Sequence, residues 1–286
     1  MTVSAASDPS GALAAVRSVR LWYHTIEVAP GVVTPGWFDL RPVVDRMPWP
    51  EVRGKRCLDV GTYDGCLAFE LERRGASEVM ATDIGRHEDW DWPPHMRARG
   101  GKALAAMAGP EKSKGFRVAR DLLGSSVERV ELSVYDLSPE RIGQFDVVVC
   151  GSLLLHLRDP LRALEALRGV CRGWLLSAEE VDLGLSLLHP RRPIAWLEGL
   201  GQRLQWWHPN VSGHRQMIEA TGFRVVRSSG LYAIPFGPAH PAGRPSDERV
   251  GREWARRRAQ GLARRLVTGG EGNPHHAVLA RPAIDG

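Results

Sequence analysis

The stretch "LDVGTYDGCLAFELERRGASEVMATDI", residues Leu58 to Ile84, decides the fold. Its first residues close the apolar run "KRCLDV", which reads as a buried strand. "CLAFELERRGA" repeats apolar residues at helical spacing and stops at Gly75, and "EVMATDI" reads as a second buried strand ending in an acid. Strand, glycine-bearing turn, helix, and strand with a terminal acid form the unit by which a Rossmann-like sheet holds a nucleoside. The turn is Gly61-Thr62-Tyr63-Asp64-Gly65. A dinucleotide turn needs G-x-G-x-x-G, and here Tyr63 and Cys66 occupy the second and third glycine positions. Asp59 and Asp64 bracket the same turn. A pyrophosphate brought that close would cost about 1 kcal/mol per like-charge pair in water, and more away from it. An NAD-dependent dehydrogenase is disfavoured on both grounds, and a cationic ligand without phosphate suits the turn.

Outward from this unit the rhythm continues. "GFRVARDLLGS" and "DPLRALEALRGVC" read as helices, and "VERVELSVYDL", "FDVVVCG" and "GWLLSAEEV" as strands. Alternation at this spacing predicts an α/β fold: a Rossmann-like, mostly parallel, seven-stranded sheet with helices on both faces. Residues 1 to about 18 are Ala/Ser/Gly-rich and read as a loose arm, and the following aromatic, turn-rich segment reads as a cover, so that 1–50 forms an N-terminal unit and 51–286 the main domain. Arg86 to Gly109 reads as irregular, and about 182–210 as an inserted lid. "VSGHRQMIEATGF" predicts a helix ending at Gly222, "FRVVRSSGLYAI" a strand, "SDERVGREWARRRAQGLARRLV" a basic helix and "HHAVLARPA" a final strand.

A chain of 286 residues with 43% hydrophobic and 25% charged residues can bury a sizeable core. Net charge +5 and pI 9.3 come from arginine; they admit an anionic partner such as RNA, and equally reflect arginine-rich genome composition. The four cysteines form no C-x-x-C pair and no zinc spacing, so no metal is expected and a reducing cytoplasm is the expected location. No apolar run is long enough for a membrane span, and the first twenty residues lack a signal-peptide core.

S-adenosylmethionine, with an ammonium, a sulfonium and no phosphate, answers the requirements of the turn. Gly61 and Gly65 would admit close backbone approach, with Thr62 and Tyr63 between them, and Asp83, followed by Ile84, would accept from the ribose hydroxyls. Asp136 and Leu137, after "LSVY", would meet the adenine amino group; Asp136 can also be read as a cap for "SPER". Taken one by one, Gly65 reads equally as an ordinary tight turn.

Leu58 to Ile84 with the later strands resembles class I S-adenosylmethionine-dependent methyltransferases. "GFRVARDLLGS", "FDVVVCGSLLLHLRDP" and "WWHPNVSGHRQMIEATGF" are further similar to the tRNA wobble-uridine methyl/carboxymethyltransferase-like family, over about residues 20 to 230. The resemblance implies methyl transfer from S-adenosylmethionine. The carboxymethylating enzymes carry a basic Lys-Gly-Pro-type stretch near the N-terminus, and "RLWYHTIEVAPGVVTPGWFD" has no lysine, so plain methyl transfer is expected.

In a parallel sheet the ligand crevice lies at the carboxyl ends of the strands. Gly151 and Ser152 would line the methionine side of the cofactor, and His156, one short turn on, would face the methyl group as general base. His156 can also be read as a helix cap, and His24 in "WYHTI" is the competing base. Tyr23, Glu179, Trp206, Trp207 and Asn210 are the expected acceptor contacts, although Asn210 also suits a helix N-cap. The expected acceptor is a small molecule methylated at oxygen, a sugar or a secondary metabolite. tRNA and a non-catalytic cofactor-binding role are the alternatives, and an exposed aromatic lid is compatible with a homodimer.

Overall fold

A computed structural model describes residues 9–199, 204–241 and 265–283. Its N-terminal part holds α1 (Pro9–Arg17), β1 (Trp22–His24), β2 (Glu27–Ala29), β3 (Val32–Val33) and β4 (Gly36–Phe38). β5 (Arg56–Val60), α2 (Cys66–Arg73) and β6 (Glu78–Asp83) realise the deciding stretch. α3 (Arg97–Ala108), α4 (Lys114–Leu123), β7 (Glu128–Glu131), α5 (Pro139–Ile142), β8 (Phe145–Gly151), α6 (Pro160–Val170) and β9 (Cys171–Glu180) follow. The insertion contains α7 (Leu183–Leu188), β10 (Ala195–Leu197) and β11 (Trp207–Pro209); α8 (Val211–Ala220), β12 (Phe223–Ser228), β13 (Tyr232–Ile234) and β14 (Asn273–Pro282) complete the chain.

The main sheet runs β12-β14-β9-β8-β5-β6-β7, with β13 also paired to β14. β9, β8, β5, β6 and β7 are parallel; β14 enters antiparallel against β9 and carries β12 and β13 antiparallel to itself. The chain leaves β5 outward to β6 and β7, then returns to β8 on the other side, so the crevice between β5 and β8 is the topological switch point. The strand pleat deals alternate side chains to two cores: Cys57, Val147 and Val149 to one face, Leu58, Val148 and Cys150 to the other. The helix ends nearest the expected signals follow the sequence. Asp159 accepts the Arg162 N–H at 3.1 Å ahead of Pro160, and Gly222, with φ +84, lies just past α8.

Three expectations are corrected. Residues 9–17 of the expected loose arm form α1, whose Ala12 and Val16 are buried in the core. The stretch expected to be irregular contains α3, hidden because Gly100 and Gly101 lower helix propensity; Gly100 is there because a Cβ would fall 2.5 Å from the Trp92 ring. The single strand expected from Phe223 to Ile234 is broken into β12 and β13. The basic helix expected over 246–267 falls largely outside the described residues. Among those described, no helix is long and apolar enough to cross a membrane, and no cluster of three or more His, Cys, Asp or Glu is arranged for a metal ion.

Candidate active site

A cavity of about 700 Å³ opens at the carboxyl ends of β5, β6 and β8. Of the residues expected at the cofactor, Gly61, Tyr63, Asp83, Ile84, Gly151 and Ser152 line it, and so do Tyr23, His24 and His156. Gly61 has φ +76, and a Cβ there would press within 3.0 Å of Leu153. Tyr63 and Ser152 adopt left-handed backbone at φ 50 and 49, strained for side-chain-bearing residues. Tyr63 is held by its N–H donating to Asp83 Oδ2 at 2.9 Å, and Ser152 by its N–H donating to the Ala178 carbonyl at 2.7 Å.

The three carboxylates of the deciding stretch have separate occupations. Asp64, 1% exposed, accepts the Tyr23 and His24 backbone N–H groups at 2.8 and 2.9 Å on Oδ2, and the His24 ring Nδ1 on Oδ1. It ties the N-terminal cover to the turn instead of facing a ligand. Because an ionised carboxylate only accepts, His24 Nδ1 carries a proton, and in the neutral ring Nε2 is then the nitrogen with the lone pair. Asp83 accepts from Tyr63 N–H and Lys112 Nζ on Oδ2 and from Ile84 N–H at 2.8 Å on Oδ1. Asp59 lies beneath the turn, where burial raises its pKa to about 6, and its Oδ2 has no hydrogen-bond partner among the described residues.

His156, in a 3-10 turn after β8, donates from Nδ1 to the Leu204 carbonyl and meets Trp90 edge-on at 5.3 Å; burial lowers its pKa. Tyr23, Trp37, Phe38, Phe236 and His240 also line the cavity and form an aromatic roof. Phe236 stacks on His240 at 4.1 Å, and Phe38 meets that imidazole at 5.1 Å. The roof is joined by Gly237 N–H donating to the Trp37 carbonyl and Asp39 N–H to the Pro235 carbonyl. Gly36 lets β1 and β4 pair so closely that a Cβ would lie 2.1 Å from the His24 carbonyl carbon.

Several expected contacts do not reach the cavity. Thr62 is buried beneath the turn and does not line the cavity. Gly65 serves packing instead, since a Cβ would strike Phe69 at 2.4 Å and Phe116 at 2.9 Å. Asp136 is exposed and Leu137 is core, because the chain turns into a 3-10 helix after β7; Ser133 and Tyr135 line the cavity in their place. Glu179 points away from the ligand side. Its Oε1 accepts the Leu153 and Leu154 N–H groups, and strand alternation gives the ligand-side position to Glu180. Glu180 lines a side chamber of about 60 Å³ with Ser152 and His275. Asn210 is fully committed as the α8 cap: its Oδ1 accepts from Gly213 and Ile194, and its Nδ2 donates to the His189 and Arg192 carbonyls. Trp207 donates to the Arg158 carbonyl outside the cavity, and Trp206 lines a separate pocket of about 40 Å³ beside His156.

Sequence reasoning missed Lys112, His275 and the roof residues Phe236 and His240. The last three stand after the inserted lid, where chain position carries no sign of proximity to β8. Lys112 carried one faint signal: it is one of only four lysines in an arginine-rich chain.

Residues 39–228 match the family described as a methyltransferase domain. Among curated proteins, the ubiquinone biosynthesis O-methyltransferase of Acinetobacter baumannii (strain AYE) is 29% identical over 126 residues, 42% of this chain and 43% of that protein. The protein of the same name from Pseudomonas aeruginosa (strain LESB58) is 29% identical over 132 residues, 45% of each chain. The chain thus spans less than half the length of these relatives. A chain from the complex between the Haloferax volcanii Trm112 methyltransferase activator and the putative methyltransferase shares the fold, at 14% identity and TM-score 0.52, covering 86% of this chain and 89% of that one. An S-adenosylmethionine-dependent methyltransferase from Mesorhizobium loti aligns at 17% identity and TM-score 0.46, covering 85% and 97%.

Proposed function

The chain belongs to the S-adenosylmethionine-dependent methyltransferase domains, and from that premise we propose that it methylates a hydroxyl oxygen of a small molecule, a sugar or a secondary metabolite, with His24 as proton acceptor. The residues at the switch point fit the cofactor. Gly61 brings bare backbone to the cavity wall, and Asp83 Oδ1 there accepts one backbone N–H and keeps a lone pair. When bound, the cofactor supplies a methyl carbon activated by the adjoining sulfonium.

The observation that carries the reading is His24 on the cavity wall with buried Asp64 bonded behind it. A hydroxyl acceptor must lose its proton as the new C–O bond forms, and a neutral imidazole can take it on Nε2. Asp64 holds the tautomer and offsets the imidazolium charge that results, while its two backbone donors fix its own position. His156 is less suited to that work. Its Nδ1 partner is a neutral carbonyl, and burial already disfavours its charged form. The aromatic roof supplies flat apolar surface for a ring. The curated relatives named as O-methyltransferases support oxygen as the acceptor atom.

Transfer of labelled methyl from S-adenosylmethionine to a panel of hydroxylated sugars, phenolic compounds and unmodified tRNA tests this. Wild type is expected to label a hydroxyl compound, and His24→Gln to lose about 10²–10⁴ in turnover with S-adenosylhomocysteine affinity unchanged. Label on nitrogen or on tRNA, full turnover by His24→Gln, or cofactor binding with transfer to nothing would each overturn it.

A further inference from the structure

Lys112, on the segment between α3 and α4, has a side chain 2% exposed and pairs with Asp83 at the cavity wall. Its ammonium also lies 4.9 Å from the centre of the Tyr63 ring, so two groups on different elements fix its place. An ammonium has three N–H donors. Among the described residues Asp83 accepts one of them. Burying the remaining donors is costly unless an acceptor meets them from the cavity.

Asp83 imposes the complementary limit. Oδ2 is filled by Tyr63 N–H and Lys112, and Oδ1, which already takes the Ile84 N–H, has one lone pair left. Asp83 alone therefore cannot accept from both hydroxyls of a vicinal diol in this arrangement. A phosphate or carboxylate could accept from Lys112 but would confront the Asp83 charge beside it. A hydroxyl answers both groups, since it donates through hydrogen and accepts through oxygen.

We propose that Lys112 is a cofactor-positioning residue whose ammonium donates to a ribose hydroxyl oxygen while Asp83 accepts a ribose hydroxyl hydrogen. The inference rests on the cofactor reading above and assigns Lys112 a part that Asp83 cannot perform alone. The pair selects an intact ribose diol over a deoxyribose or a phosphorylated one.

Calorimetry with S-adenosylhomocysteine and its 2′,3′-dideoxy analogue on wild type and Lys112→Met forms a double-mutant cycle. The substitution is expected to weaken S-adenosylhomocysteine binding by about tenfold or more, the range of a hydrogen bond to a charged group, and to leave binding of the dideoxy analogue within about twofold of wild type. Equal losses for both ligands would mark a structural role and overturn the assignment, as would no loss or a gain. Should Lys112→Met fail to fold, the ammonium resonances of wild type, with four lysines to distinguish, are followed by NMR. The Lys112 signal must move more with S-adenosylhomocysteine than with the dideoxy analogue, and equal movement overturns the proposal. Wild type that binds no S-adenosylhomocysteine would refute the cofactor reading itself; wild type that binds it as Lys112→Met does would refute only the role of Lys112.

Discussion

Glu179→Gln separates a buried acid's charge from its hydrogen bonding. Glu179 is 1% exposed; its Oε1 accepts the Leu153 and Leu154 N–H groups at 3.1 and 3.2 Å, and its Oε2 has no partner among the described residues. Burial is the main cause that raises its pKa from 4.5 to about 8, with Glu180 adding to it. The glutamine keeps a carbonyl oxygen for the two backbone donors and cannot ionise. Since the folded pKa lies above the unfolded one, the stability linked to the proton is complete below 4.5 and is lost as pH rises toward 8. Each pH unit in that window removes about 1.4 kcal/mol. Wild type should therefore lose about 3 kcal/mol relative to Glu179→Gln between pH 6 and pH 9. Urea unfolding followed by tryptophan fluorescence at the two pH values measures it. A difference between the two proteins that stays constant, or that moves to favour wild type at pH 9, would refute the argument.

Acid should expose the opposite linkage. Burial lowers the pKa of His276 to about 4 from 6.5, so the folded state resists its protonation and stability falls as pH drops below 6.5. In His276→Gln that acid loss should shrink by about 3 kcal/mol between pH 6.5 and 4, read from urea midpoints. Asn210→Ala removes an N-cap and leaves the His189 and Arg192 carbonyls without their amide donor. A loss of about 2–4 kcal/mol in unfolding free energy is expected, with cofactor affinity unchanged.

The parallel sheet, the glycine turn and the acid ending β6 were legible because each has a local signature: a buried apolar run, a break, a helical period, an acid. The positions of Gly61, Asp83, Gly151 and Ser152 at the crevice follow from strand ends alone. What the sequence could not show depends on pairing across long separations. Asp64 reads as a turn acid until β1 is brought beside it, forty residues away in the chain. Glu179 reads as the acceptor contact until the alternation of β9 gives the ligand side to its neighbour Glu180. Asn210 illustrates the reverse case, in which the local rule for a helix cap fully explains the residue and no ligand contact is left for it.

The pairings also change the electrostatics of the turn. The sequence suggests a negatively lined turn that attracts a sulfonium and repels a phosphate. In the fold, Asp64 spends its acceptors on His24 and the β1 backbone, Lys112 offsets Asp83, and burial raises Asp59 to about 6. Little unbalanced charge is left at the turn itself to choose between ligands. Discrimination then falls to hydrogen-bond complement and shape. A dinucleotide needs backbone where the Tyr63 side chain projects into the cavity, and its phosphates need donors that Asp83 has already engaged. A neutral nucleoside should therefore compete for the ribose end nearly as well as one carrying a cationic methionine arm.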